Sequence, residues 1–546
     1  MQNIGLQIRR LLDHGATVHG AGKVITAAPA PDQPRSVTYA DTARNAARLA
    51  AALTALGVAT GDRVATFMWN NQEHIEAYFA VPSMGAVLHP LNVRLADEQI
   101  SYIIGHAQDK VVIVDHTLFD TFMTIVPHLS TVEHIIVNGP VDTDELSGHG
   151  VHIHDYSTLL DGQPDQFAWP DIDENHPAAM CYTSGTTGNP KGVTYSHRSI
   201  YLHALASSLP DAFDLSCQDT VLAAVPQFHV MAWGLPYSAF LTGASLALPD
   251  RFLAPEHLIH FIASARVTKG AAVPTVWTSV LNHLDQSPPP APLALREAIV
   301  GGSAMPASLL QAFAERHSIT MVHAWGMTEM SPLGTVARPP AHASTEQFSR
   351  YQLTQGRLLA PVEAKLVADN GEELPWDNTA VGELIVRGPW ITGSYNGDPE
   401  PDPDKFLDGW LRTGDVGKLS ADGYLTITDR AKDIIKSGGE WISSVELEGL
   451  LAGHPAVHEA AVIGVPDDRW GERPLVAVVL VAGISATAAE LRHYLADHVN
   501  RWQLPERWSF IDEVPKTSVG KFDKKLLRAQ HAGGQLAVEY TQPART

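Results

Sequence analysis

The chain has 546 residues, 45% hydrophobic and 18% charged, with a formal net charge of −22. That length exceeds what one growing core supports, so two or more domains are expected. The anionic balance and the lack of any Lys/Arg-rich run argue against a nucleic-acid partner, and two cysteines, Cys181 and Cys217, leave no disulfide framework.

The amphipathic N-terminus does not read as a signal peptide. After a Pro/Arg/Ser stretch, 37–58 carries apolar residues at the spacing of a helix with one buried face, and 61–70 leaves a Gly-Asp turn as a strand. A helix is expected over 71–87, then strands at 110–115 and 134–137. The apolar stretch around Pro82 and Gly85 is too short to span a membrane. The protein is therefore expected in the cytoplasm, with peripheral attachment left open to an apolar substrate. The alternation is that of a sheet covered by helices on both faces. It resumes with strands at 220–226 and 244–249, a helix at 257–267 and two strands within 269–303. From 351 the pattern changes to short strands between Gly/Asp turns, a small β-rich unit. Strands at 460–467 and 475–483 and a helix at 486–499 then outline a compact α/β domain beginning at 431.

The sharpest local feature is the run Tyr182-Thr183-Ser184-Gly185-Thr186-Thr187-Gly188-Asn189-Pro190-Lys191-Gly192. Three glycines permit close backbone approach, successive N–H groups can form an anion nest, and Lys191 adds a point charge suited to phosphate. It is not the G-x-x-x-x-G-K-[ST] loop, because Gly192 follows the lysine. Without a ligand the same run would be a flexible surface turn.

This run resembles the signature of the adenylate-forming enzymes, which include acyl-CoA synthetases, luciferases and carrier-protein adenylation domains. Further matching segments follow in the family's order: 226–234, 301–306, 325–329, 413–415, 429–443 and 515–525. The segments at 226–233 and 435–448 look closest to the medium- or long-chain fatty acyl-CoA synthetases. The resemblance implies a large N-terminal domain, 1–430, with two helix-covered α/β sheets and a small distorted β-barrel. It also implies a small mobile C-terminal α/β domain, 431–546, and a reaction using ATP, Mg²⁺ and coenzyme A. A fatty acid would become acyl-AMP with loss of pyrophosphate and then pass to coenzyme A with loss of AMP. A homodimer is an assembly known among related fatty-acid enzymes, although no motif here encodes it.

Roles follow from the same resemblance. Thr183 to Lys191, including Ser184, Gly185, Thr186, Thr187 and Gly188, would handle the leaving phosphates. Glu329, with Thr183, would position Mg²⁺, and Thr328 and Gly326 lie beside it. Trp325 would stack on adenine, bordered by Gly302, Ser303 and Ala304. Asp415 would hold the ribose hydroxyls, with Arg430 near the ribose and α-phosphate. Lys521 would reach the α-phosphate and the acid's carboxylate. Lys432 occupies the hinge position, and Gly438, Gly439 and Trp441 would border the pantetheine tunnel. His229 and Trp233 would line the acyl pocket, Trp233 matching a tryptophan proposed as a tunnel gate in a related long-chain enzyme.

Each residue also has a plain alternative. Glu329 and Lys521 would be ordinary surface charges in isolation, Trp325 a core tryptophan, and His229 and Trp233 packing residues on one helix face, being four apart. Cys181 reads as a small buried residue. No Ser-His-Asp or Cys-His nucleophile is found and no histidine pair has zinc spacing, so no zinc site is expected. Three other functions stay open: a ligase for an aromatic or short branched acid, transfer to a carrier protein, and a catalytically silent nucleotide-binding regulator. A nicotinamide dehydrogenase is disfavoured, since no strand is followed by G-x-G-x-x-G.

Overall fold

The computed structural model describes residues 1–140, 150–183, 189–368, 370–438, 440–517 and 521–541. Two large sheets form the N-terminal part. In the first, the strands His152–Asp155, His134–Asn138, Asp109–Asp115, Arg63–Phe67, Val87–Pro90 and Pro177–Tyr182 run parallel, and Gly192–Ser196 returns antiparallel at the edge. The Thr/Ser/Gly run therefore joins Pro177–Tyr182 to the edge strand Gly192–Ser196.

The second sheet begins as a parallel stack, with Ser245–Leu248, Thr220–Ala223, Lys269–Ala272, Glu297–Val300 and Thr320–Gly326 side by side. It continues without a break into antiparallel strands, from Leu333–Val336 through Gly356–Leu358 and Tyr424–Arg430 to Trp410–Leu419 and Gly382–Arg387. The β-rich unit is thus an extension of that sheet. Its first turn requires glycine: a Cβ on Gly326 would lie 2.0 Å from the Pro332 carbonyl oxygen.

Several boundaries differ from the sequence expectation. The expected helix 71–87 is Gln72–Ser83, capped by the Asn71 side chain accepting from His74 N. Gly85, at φ +94°, turns the chain into the strand Val87–Pro90. Every residue of that helix except Glu73 is buried, so amphipathic spacing gave no signal for its end. The helix expected at 257–267 is Pro255–Ser264, with proline in the first turn where its missing N–H costs nothing. Arg35–Thr38, inside the Pro/Arg/Ser stretch, pairs as a strand with Lys23–Thr26.

The C-terminal α/β domain has a sheet of its own, centred on Val457–Asp467, Gly471–Leu480 and Arg507–Phe510. Its two faces hold separate cores, one around Leu447, Leu491 and Trp508, the other around Ile463, Leu475 and Leu527. Among the described residues, no helix is long and apolar enough to cross a membrane.

Candidate active site

The ends of the second sheet's central strands carry the charged residues. Trp325 closes the strand Thr320–Gly326, and its Nε1 donates to Asp415 Oδ2 at 2.8 Å. Arg430, cross-strand partner of Asp415, places Nε 3.1 Å from Oδ1. Asp415 is 3% and Trp325 8% exposed. The Asp415 carboxylate raises the Arg430 pKa above its usual value, so the guanidinium stays charged. Trp325 thus sits as a buried ring that fixes a carboxylate, packed so closely on Gly334 that a Cβ there would meet it at 2.6 Å.

Glu329 follows in a single helical turn, Thr328–Met330, and is buried. Its Oε1 accepts from the Tyr395 hydroxyl at 2.7 Å. Burial and the neighbouring Glu329 push the Tyr395 pKa up, so the phenol keeps its proton as the donor. Lys191 Nζ lies 4.7 Å above the same tyrosine ring and 3.2 Å from Asp402 Oδ2. Thr183 is tied to Lys191 by two bonds, Thr183 N to Lys191 O at 2.9 Å and Lys191 N to Thr183 Oγ1 at 3.2 Å. The loop's base is therefore fixed, while Ser184, Gly185, Thr186, Thr187 and Gly188 lie outside the described residues. Tyr395, which bridges the lysine to the glutamate, and Asp402, which pairs with the lysine, carried no sequence signal. They sit in a Gly/Asp/Pro-rich connection well past Glu329 in sequence.

Lys521 enters this cluster from the other domain. A Cβ on Gly302, itself at φ +88°, would stand 3.6 Å from Lys521 Cε. Thr517 fixes the backbone of Lys521 through Lys521 N to Oγ1 at 3.2 Å. Burial, with repulsion from Arg430, brings the ammonium down to about 8. His229 is close enough to feel Lys521, and burial holds its imidazole at about 3, neutral at physiological pH. The Ser303 carbonyl lies 3.3 Å from His323 Nε2, and Gly302, Ser303 and Ala304 are solvent-exposed.

His229 and Trp233 do not share a helix face. Val230, Met231, Ala232 and Trp233 have φ of 40°, 46°, 50° and 56°, a left-handed turn closed by Gly234 at 74°. Such a run is costly for residues with a Cβ and persists only where packing over-determines it. Here it drives the Trp233 ring onto Gly301, where a Cβ would meet the indole at 2.9 Å. Behind this turn and behind Thr328–Met330 lies a cavity of about 10 Å³, lined by Tyr195, Ile200, His203, Met231, Gly234, Tyr237 and Ser331. A space of that size takes about one water.

Gly438, at φ +64°, and Trp441 lie on the C-terminal hairpin Ile435–Ser437/Glu440–Ile442, where the Trp470 ring covers Gly438. Gly439 lies outside the described residues. Lys432 is exposed, and desolvation lowers its pKa from the usual lysine value. Cys181 is buried in the core, its thiol pushed up to about 12 by desolvation.

A phosphate-type loop, a carboxylate–guanidinium pair and a lysine delivered by a second domain define a nucleotide-dependent transferase or ligase. The AMP-binding enzyme family matches residues 12–396, and the AMP-binding enzyme C-terminal domain matches 446–521. A 3-methylmercaptopropionyl-CoA ligase of Ruegeria lacuscaerulensis is 42% identical over 96% of this chain and 97% of its own. A medium-chain-fatty-acid–CoA ligase of Ectopseudomonas oleovorans is also 42% identical, over 96% of each chain. The crystal structure of the anthranilate CoA ligase AuaEII in complex with anthranoyl-AMP superposes with a TM-score of 0.88 at 26% identity, covering 98% of this chain and 99% of that one. The chain belongs to the AMP-binding enzyme family, as an ATP-dependent, acid-activating CoA ligase.

Proposed function

We propose that the acid is short or compact, and that the division of labour follows the two domains, 1–430 and 431–546. The observation that supports the acid's size is the Val230–Gly234 turn, which lays the Trp233 ring on Gly301, one residue before the Gly302 that Lys521 approaches, and so narrows the space beside the reacting end. The similar proteins span thioether, alkyl and aromatic acids by name, so overall similarity does not choose among them. A medium-chain fatty acid is the second reading. It is favoured by the Ectopseudomonas relative and would need the left-handed turn to swing Trp233 aside.

In the first step a carboxylate oxygen attacks the ATP α-phosphorus and pyrophosphate leaves. The Lys521 ammonium, which approaches Gly302, would lie between the two anions and offset the charge that builds on the phosphoryl oxygens. Asp415, oriented by Trp325 and Arg430, accepts from the ribose hydroxyls. Lys191 and the Thr183 loop receive the leaving phosphates. Glu329 and the Thr183 hydroxyl are hard oxygen donors suited to Mg²⁺, which would screen the phosphate charge. Among the described residues no group of three or more His, Cys, Asp or Glu could cage a metal, so one carboxylate with substrate oxygens fits an ion that keeps most of its other ligands as water and phosphate. In the second step the domains rotate about Lys432, bringing Gly438 and Trp441 to the site. The coenzyme A thiolate then attacks the acyl carbon and AMP departs.

The test is incubation with ATP, Mg²⁺, coenzyme A and acids from acetate to palmitate plus benzoate, reading AMP, pyrophosphate and acyl-CoA. Turnover peaking at six carbons or fewer, or with benzoate, is expected. A peak at octanoate or beyond would support the second reading instead. Adenylate without thioester would move the acceptor to a carrier protein.

A further inference from the structure

Lys521 enters the site from a turn that leads directly into the helix Lys524–Ala532. The Asp523 carboxylate caps that helix, accepting from Leu526 N at 3.0 Å, and Leu527 is buried in the domain core. Lys524 Nζ donates to Ser444 Oγ at 2.7 Å and lies 2.7 Å from Glu448 Oε1. Ser444 in turn donates to Asp429 Oδ2 from both N and Oγ, each at 2.6 Å. An ammonium can only donate and a carboxylate only accept, so the serine hydroxyl takes from Lys524 and gives to Asp429. Asp429 is 1% and Ser444 0% exposed. Burial raises the Asp429 pKa, and the Lys524 ammonium and the donors on the carboxylate oppose the rise.

Asp429 belongs to the strand Tyr424–Arg430, and its Oδ1 accepts at 2.7 Å from the N of Arg430, whose side chain pairs with Asp415. A continuous chain of bonds thus runs from the Asp415–Arg430 pair through Asp429, Ser444 and Lys524 to the helix start just past Lys521. Ser443 adds a second tie, its hydroxyl donating to Thr428 O. Arg528, one helical turn beyond Lys524 on the same face, lies 2.7 Å from Asp433 Oδ1. Thr428 and Asp429 precede Lys432 in the chain, whereas Ser443, Ser444 and Lys524 follow it. A change of dihedrals at Lys432 moves every atom after it against Asp429, and bonds of 2.6 Å do not survive a large swing.

We propose that Lys524 is a positioning residue for the adenylation half-reaction: with Ser444 it clasps Asp429 across the hinge position and so holds Lys521 in the nucleotide site, and the clasp opens before thioester formation. The inference rests on the two-domain division of labour proposed above and deepens it. Docking Lys521 strips water from its ammonium and brings it near Arg430, which lowers its pKa to about 8. The docked arrangement therefore carries a cost. Charge-assisted hydrogen bonds between buried partners beside the pivot offset that cost, and they do so only while the domains stand as they do here.

The test measures the two half-reactions separately by single-turnover quench: adenylation from ATP and the fastest acid of the acetate-to-palmitate series, and thioester formation from the preformed acyl-adenylate and coenzyme A. Ser444→Ala removes the bridging hydroxyl and leaves the Lys524–Glu448 pair in place. Lys524→Gln removes the charge. Each should slow adenylation by about three- to tenfold, the worth of one hydrogen bond, and leave thioester formation as fast as in the wild type or faster. Lys524→Arg keeps a cation of similar reach and should restore most of the adenylation rate. The alkaline limb of adenylation should also move up from about 8 toward the usual lysine range in the two slow variants, because an undocked Lys521 is rehydrated. Equal slowing of both half-reactions with the limb unmoved, or an unchanged adenylation rate in both variants, overturns the inference alone. Equal slowing of both half-reactions by Lys521→Ala overturns it together with the division of labour.

Discussion

The two halves of the active site are built by opposite means. On the nucleotide side charged groups are held by one another: Asp415 by Trp325 and Arg430, Glu329 by Tyr395, Lys191 by Asp402. On the side proposed for the acyl group the walls come from packing, a left-handed turn pressed onto Gly301 and a neutral histidine against Gly234. The first half tolerates little change in charge and the second little change in volume. A charged transition state is stabilised over several ångströms by preoriented groups, whereas an apolar chain end is read only by what it touches.

The largest expected effect lies on the charged side. Lys521→Ala should slow adenylation by about 10²- to 10³-fold, as does loss of a group that stabilises developing charge. Thioester formation from preformed acyl-adenylate should change by less than about threefold, because the second domain has then carried Lys521 away. Comparable losses in both half-reactions, measured by single-turnover quench, would put the lysine's role in folding or domain docking.

The pH profile sharpens the same side. The Lys521 pKa is lowered from 10.5 to about 8, so the ammonium is full below that pH and lost above it. kcat/KM for ATP in the adenylation half-reaction should therefore fall about tenfold per pH unit above about 8. A flat profile to pH 10 would mean that another group supplies the charge.

Tyr395→Phe removes the hydroxyl that orients Glu329 while keeping the ring beneath Lys191. A hydrogen bond to a charged group is worth about 1.5–3 kcal/mol. A rise of at least about tenfold in the Mg²⁺ needed for half-maximal adenylation should follow, and an unchanged Mg²⁺ requirement would remove Glu329 from the metal's neighbourhood.

The smallest effect is expected on the acyl side. Gly234→Ala forces a side chain into φ +74° against His203 and should lower stability by about 1–2 kcal/mol, read as a shift in urea midpoint. An unchanged midpoint would mean that the turn relaxes, and the contrast between a rigid acyl wall and a charge-held nucleotide side would fail.

How much of this was legible beforehand differs between the halves for a physical reason. Lys191, Glu329, Asp415, Arg430 and Lys521 stand in short motifs because each depends on a local turn: an edge-strand connection, one helical turn, a cross-strand pair. Tyr395 and Asp402 act through partners 66 and 211 residues away in sequence, where no local pattern exists. The sheet-and-helix alternation followed from apolar spacing, yet helix ends failed where all but one residue is buried, as in Gln72–Ser83. By itself the sequence determined the class of chemistry, through the residue types that nucleotide handling requires, and the α/β texture, through its periodicities. Only the tertiary structure decided the shape of the wall proposed for the acyl end, because the left-handed conformation of Val230–Trp233 is disfavoured locally and is imposed by what packs around it.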